Sequence, residues 1–349
     1  MNSKKMVIIT LSLLLSALLV VGTINFAIDP LFQYHKPWFG LKPVVTNERY
    51  QNAGIARNFD FKNVIIGNSY SENFIISDVE DVFEGKTVKL TASGSHILDW
   101  TYVLKILNER ETHPVNILFN LDTGFIDFSD KQTKHEMPVF LYDNNYFNDV
   151  EYLFNFTLTR NYTFSTIKSN IKNEIPDYNT AFVWFDEKES GKEYVIKNYV
   201  ASKEKEKINI QKIFYTDENL RLLSKYIESM SNTEFVFFFS PFSVLYWKDI
   251  VETGYLDEYK KEFEKIFSFM SQYDNVSVYF WTDTEMLKII SDLNNYKDTS
   301  HYKLQINKDI LKRINSGIGI LPKEESKWMT LLDIYFDYLK NFDYTILFT

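Results

Sequence analysis

The stretch Val64-Ile65-Ile66-Gly67-Asn68-Ser69-Tyr70 runs from consecutive β-branched residues through a glycine into three side chains that carry hydrogen-bonding groups. A short, near-continuous apolar run fits a strand covered on both faces, and the polar residues after it fit the turn into a helix. Four more runs have this character, so the predicted strands are Asn63 to Ile66, Thr87 to Thr91, Val115 to Leu121, Glu234 to Ser240 and Val276 to Trp281. Helical spacing of apolar residues marks Leu98 to Leu107, Glu218 to Met230, Tyr255 to Met270 and roughly Thr284 to Leu293. Strands alternating with helices predict an α/β fold, a doubly wound sandwich with about five parallel strands. Such sheets carry their chemistry in loops at the carboxyl ends of the strands, which is where Ser69 falls.

About 230 residues further on, Asp298-Thr299-Ser300-His301-Tyr302 follows the last predicted strand and helix. A serine is a poor nucleophile at neutral pH unless a base takes its proton and a carboxylate fixes that base in one tautomer. Ser69, His301 and Asp298 supply those three parts. The spacing lets Asp298 and His301 face one pocket, with the carboxylate on the ring nitrogen turned away from the serine. The alternative for Ser69 is a helix N-cap, because Glu72 stands three residues on, as in a capping box. His35, His96, His113 and His135 lack ligand spacing and read as structural or exposed, with His96 a candidate for the pocket wall because it follows Gly94. Neither metal-ligand spacing nor a glycine-rich nucleotide loop is present, so the reading includes no metal and no cofactor.

Gly67-Asn68-Ser69 after the first strand, taken with Asp298-x-x-His301-Tyr302, resembles the SGNH (GDSL-like) hydrolase superfamily over roughly residues 29 to 320. Within it, the chain is most similar to membrane-anchored envelope members such as lipoteichoic-acid D-alanylation and polysaccharide O-acetylation factors. The resemblance implies Ser69 as nucleophile, His301 as general base and Asp298 as its orienting carboxylate. It also implies an oxyanion-hole glycine after the second strand, where Thr91-Ala92-Ser93-Gly94-Ser95 makes Gly94 the candidate beside the Ser69 N–H. One such donor is typically worth about 3–4 kcal/mol of transition-state stabilisation.

The family's Gly-x-Asn-Asp block is replaced here by Phe119-Asn120-Leu121-Asp122-Thr123-Gly124-Phe125. Asn120 falls inside the strand and Asp122 nearer its end, and a carboxylate donates no hydrogen bond unless protonated. That departure leans toward a transferase, a weak catalyst or a non-catalytic factor. Asn68, Asn120, Asp122, Ser243 and Tyr302 are the candidate lining residues. Ser240-Pro241-Phe242-Ser243 resembles a loop at the rim of the site, with Ser243 and Tyr246 either touching substrate or shaping a tight turn. The resemblance further implies an acylated glycan or envelope glycopolymer as partner, and a multipass membrane acyltransferase that delivers the acyl group. A plain esterase and a non-catalytic polymer-binding or scaffold protein are the rival readings.

At the N-terminus, Lys4 and Lys5 precede Met6 to Ile28, a run without charge that Asp29-Pro30 ends. About 20 helical residues cross the ~30 Å hydrocarbon core. Basic residues before the run predict a cytoplasmic N-terminus and an extracytoplasmic body. The lack of cysteine and a composition rich in Lys, Asn, Ile and Tyr fit a bacterial cytoplasmic membrane. A cleaved signal peptide is the alternative, with Val20-Val21-Gly22 as its best small-x-small site. The predicted layout is a stub and anchor over 1–28, a linker packing on the sheet over 29–60, the α/β domain over 61–322 and a helical, aromatic tail over 323–349. Residues 129–216, with a charged run from Lys203 to Lys207, form either a cap over the site or a peripheral helical subdomain. The 349 residues contain no cysteine, which excludes disulfides and thiolate metal sites, and their net charge of −9 argues against a nucleic-acid partner. Asn155, Asn161 and Asn275 head Asn-x-Ser/Thr triplets that read as chance. Asp283 and Glu285 read as a helix start.

Overall fold

A computed structural model of the chain describes residues 3–131, 133–203 and 212–349. Apart from the backbone of Lys203, the run from Lys203 to Lys207 lies outside them. The chain divides into two compact units, Met1–Asp60 with Met137–Ala181 and Phe61–Glu136 with Phe182–Thr349.

The second unit is built on five strands, β1 (Asn63–Gly67), β2 (Thr87–Thr91), β3 (Asn116–Leu121), β4 (Glu234–Phe239) and β5 (Val276–Tyr279). They form one all-parallel sheet in the order β2-β1-β3-β4-β5. Each strand is buried along nearly its whole length, which explains why the runs are continuous rather than alternating. Helices Ile97–Asn108, Thr216–Ser229, Leu256–Met270 and Thr284–Ser291 fall close to their predicted spans. The strand order reverses between β1 and β3, and that switch point is where open α/β sheets leave a crevice for chemistry. β1 and β2 stay in register to their ends, with Gly67 opposite Thr91, so their loops leave the sheet side by side.

The tail expected over 323–349 is part of this unit. Its helix, Glu325–Asn341, buries Trp328, Leu332, Tyr335, Phe336 and Leu339. The phenyl rings of Phe263 and Phe336 meet with centroids 5.5 Å apart.

The first unit joins segments that the predicted layout kept apart. The N-terminal helix, Ser3–Ile28, is 26 residues long, about 39 Å. It is long and apolar enough to cross a membrane. Asp29 ends it in the left-handed region at φ 41°. Its carboxylate accepts the N–H groups of Gln33 (3.0 Å), Tyr34 (2.7 Å) and His35 (2.9 Å) and the hydroxyl of Tyr152 (2.8 Å). Residues 137–181, predicted as part of the 129–216 insertion, pack here. Asn25 of the N-terminal helix is fully buried and bonds the Leu153 carbonyl and the hydroxyls of Thr159 and Thr163, each at 2.7 Å. The rest of the insertion, from Phe182, belongs to the sheet unit.

Candidate active site

The site begins where β1 ends. Gly67 turns the chain at φ 151°, and a Cβ there would sit 2.4 Å from Ser71 Oγ and 2.9 Å from Asn120 Cβ. Only glycine fits that turn without displacing its neighbours. Asn68 then caps the short helix Ser69–Glu72, its Oδ1 accepting the Tyr70 N–H at 3.3 Å. The N-cap role considered for Ser69 therefore belongs to Asn68, and the Ser69 hydroxyl is left for other work.

Ser69 Oγ lies 2.8 Å from His301 Nε2. His301 Nδ1 lies 2.7 Å from Asp298 Oδ2. The other carboxylate oxygen of Asp298 accepts the N–H groups of Ser300 (2.9 Å) and His301 (2.8 Å), which folds the loop around it. A carboxylate on Nδ1 holds the proton there and leaves Nε2 as the acceptor facing Ser69. Desolvation pushes the Asp298 carboxyl up. The hydrogen bond and charge of His301, with the two N–H groups, outweigh that and hold it below the ordinary value.

Several side chains on and around this loop are tied down. Ser243 is fully buried, and its hydroxyl and N–H both go to the Thr299 carbonyl, at 2.6 and 3.2 Å. It shapes the loop and offers nothing to a substrate. Tyr246 places its hydroxyl 2.5 Å from Thr123 Oγ1. Tyr296 bonds the Pro241 carbonyl at 2.6 Å. Tyr302 is buried with its hydroxyl 3.2 Å from Ser240 Oγ, which ties the loop to the end of β4.

The expected oxyanion donors sit on adjoining loops. Gly94 is half-buried at φ 64° after β2, and Ala92 N–H and Ser95 Oγ both bond the Gly67 carbonyl, at 3.1 and 3.0 Å. Neither the Gly94 N–H nor the Ser69 N–H has an acceptor among the described residues. Lys134 and His135 lie against Gly94, each 3.1 Å from where a Cβ would stand. Asn120 is fully buried in β3, with Nδ2 on Ser240 Oγ at 2.7 Å and on the Leu121 carbonyl at 3.2 Å. Its amide protons are committed inside the sheet, so it supplies no side-chain donor and lines no pocket.

Asp122 is buried and takes the Asn68 amide on Oδ2 and the Gly124 N–H on Oδ1, both at 2.6 Å. Burial pushes its carboxyl above the ordinary value, against the pull of those two donors. The pair ties the β1 and β3 loops together across the switch point. His96 is buried at the start of the Ile97–Asn108 helix, with its ring stacked on Phe128 at 3.9 Å. Asp283 caps Thr284–Ser291, and it and Glu285 pair with Arg313 at 2.7 and 3.0 Å. Among the described residues no group of three or more His, Asp and Glu is placed to hold a metal ion.

Two residues that the sequence did not single out touch the triad. Trp184 sends its indole N–H to the Ser69 carbonyl at 3.1 Å and sets its ring edge-on to His301 at 5.1 Å. Tyr70 lays its ring 4.7 Å from His301, and its hydroxyl is 3.0 Å from Ser300 Oγ. Tyr70 follows the serine directly and was within reach of a motif reading. Trp184 lies in an aromatic-rich insertion with no spacing to mark it.

No known family's sequence profile matches this chain, and no curated protein matches it either.

Proposed function

We propose that the chain is an SGNH-type serine acyltransferase or esterase, held outside a bacterial cytoplasmic membrane by its N-terminal helix and acting on ester-linked acyl groups of an envelope glycopolymer. The observation that carries this reading is the continuous relay from Ser69 Oγ through His301 to Asp298, at 2.8 and 2.7 Å, assembled within one compact unit.

Ser69 Oγ attacks the acyl carbonyl as its proton passes to His301 Nε2, and Asp298 stabilises the imidazolium. The N–H groups of Ser69 and Gly94 take the charge on the carbonyl oxygen. Collapse breaks the bond to the leaving alcohol or thiol, which receives the proton from Nε2. A glycan hydroxyl then gives its proton to Nε2 and attacks the acyl-serine; the acyl–Oγ bond breaks and Nε2 returns the proton to Ser69. Water in its place makes the enzyme an esterase. Trp184 over the Ser69–His301 pair restricts water on that side, which favours transfer.

The commitment of Asn120 to Ser240 favours one other reading, a non-catalytic factor that uses the same fold to bind the polymer or organise a multipass acyltransferase. Fluorophosphonate labelling of the full-length chain in detergent separates the two. Label on the Ser69 peptide, lost in Ser69→Ala and His301→Ala, is the outcome for an enzyme. An unlabelled, folded protein whose Ser69→Ala variant fully restores a deletion strain is the outcome for a factor.

A further inference from the structure

The helix Phe164–Lys172 is inside out for an element facing water. Its inward side carries Thr166, which is buried, and Asn170, whose side chain bonds the backbone of Lys42 at 2.7 and 3.1 Å. Its outward side carries Phe164, 52% exposed, and Ile171, 80% exposed, beside the exposed Ser165, Lys168 and Lys172, with Ile167 half-buried. The chain leading into it repeats the inversion. Phe154 and Phe156 are 40% and 73% exposed, while the hydroxyls of Thr159 and Thr163 are buried on Asn25. A helix bordering water buries its apolar stripe. Polar groups as glue inside, with apolar side chains outside, is the arrangement of helices that pack in lipid.

The depth agrees with this. The ring of Phe154 packs on Gly22 of the N-terminal helix, and Asn25 bonds the Leu153 carbonyl. Counting about 20 residues from Met6 for a ~30 Å core puts the outer edge of the hydrocarbon near Gly22 to Phe26. Segment 154–172 therefore meets the helix where the acyl chains give way to headgroups. Its charge agrees as well. Between Glu151 and Glu174 the charged residues are Arg160, Lys168 and Lys172, all exposed, in a chain of net charge −9, and the 3.9 Å pair of Lys172 with Glu174 is a solvent-exposed one of little strength. Basic residues at this level are drawn to anionic lipid.

We infer that residues 154–172 are a second membrane element, lying in the outer interface beside the spanning helix, with Phe156, Phe164 and Ile171 among the acyl chains and Arg160, Lys168 and Lys172 on anionic headgroups. This rests on the reading of the N-terminal helix as a spanning anchor. The test exploits the absence of cysteine. Single variants Phe156→Cys and Ile171→Cys of the full chain carry a nitroxide in phosphatidylglycerol vesicles, with Leu14→Cys as the lipid reference and Ser316→Cys as the aqueous one. Accessibility to oxygen and to a nickel chelate gives depth. Labels at 156 and 171 are expected about 5–10 Å below the headgroup boundary. Lys168→Glu with Lys172→Glu should move both toward water.

If 156 and 171 are as open to nickel as 316 while 14 reads as lipid, the interfacial element is overturned and the anchor stands. If 14 also reads as water, the anchor reading fails and this one with it. Labels at 156 and 171 that broaden by spin–spin coupling and are shielded from both reagents would mean that a second copy of the chain covers the surface, which also overturns the inference.

Discussion

Trp184 donates its indole N–H to the carbonyl oxygen of Ser69 at 3.1 Å, so the residue that covers His301 is also bonded to the backbone of the proposed nucleophile. The backbone N–H groups of Trp184 and Phe185 are both held by Asn73 Oδ1, at 3.2 and 3.3 Å. Trp184 is thus anchored at both ends. Trp184→Phe keeps a smaller aromatic ring and loses one hydrogen bond, worth about 1 kcal/mol or roughly fivefold in kcat/KM. Trp184→Ala also opens the His301 side to water. Its product ratio, measured with glycan acceptor present, should shift toward free acid, and an unchanged ratio would remove Trp184 from the choice between transfer and hydrolysis.

Removal of Ser69 or His301 should lower turnover of an activated ester by roughly 10⁴–10⁶-fold. Asp298→Asn leaves the ring in the wrong tautomer and should cost about 10⁴-fold. Initial rates with a chromogenic acetate measure all three. Thermal melts of Ser69→Ala should match the parent, because the hydroxyl contributes one part-buried hydrogen bond.

Asp298 also sets a pH dependence of stability. Its folded carboxyl is held below the value of 3.8 that it has when unfolded, so the unfolded chain takes up the proton first as the pH falls. Its contribution is fully present above 3.8 and is lost only as the pH drops through the lower folded value. The melting-temperature gap between the parent and Asp298→Asn should stay flat from neutral pH to about 4 and close below it. A gap that closes between pH 7 and 5 would contradict a lowered Asp298 carboxyl.

Gly67→Ala places a methyl group 2.4 Å from Ser71 Oγ, in a backbone region that alanine avoids. A loss of about 1–3 kcal/mol is expected. Because the turn aims Ser69, activity at a permissive temperature should fall further than the folded fraction. Chemical denaturation read beside activity separates the two effects.

Asn25 makes the N-terminal helix part of the first unit. Asn25→Ala leaves the Leu153 carbonyl and the hydroxyls of Thr159 and Thr163 without that partner, at a cost of about 1–3 kcal/mol for each group left unsatisfied. Hydrogen exchange over residues 150–172 should rise while β1 to β5 keep their protection. The same argument bears on processing. The full chain should stay in the membrane fraction after a high-salt wash, and a mature N-terminus found near residue 23 would overturn the anchor.

Much of the sheet unit was legible from local chemistry. Strands buried on both faces are largely apolar, so Val64 to Ile66 and Phe235 to Phe239 announce themselves without any knowledge of their neighbours. Ser69, Asp298 and His301 were also legible, because the turn after a buried strand and the Asp-x-x-His spacing are each set by a few consecutive residues. The glycine at 67 follows from the same local turn.

Other features depended on residues far apart in the chain. Asn120 and Ser243 carry side chains suited to a site, yet the Ser240 hydroxyl and the Thr299 carbonyl claim them. Trp184 reaches Ser69 only because the chain returns after more than a hundred residues. Residues 137–181 join the N-terminal helix through hydrogen bonds from Asn25, which sits in an apolar run that conceals it. The sequence by itself determined the alternation of strands and helices and the chemical identity of the triad, because periodicity and turn propensity are local. Only the tertiary structure decided which polar groups remain free, because a hydrogen-bonding group is spent or available according to its neighbours in space.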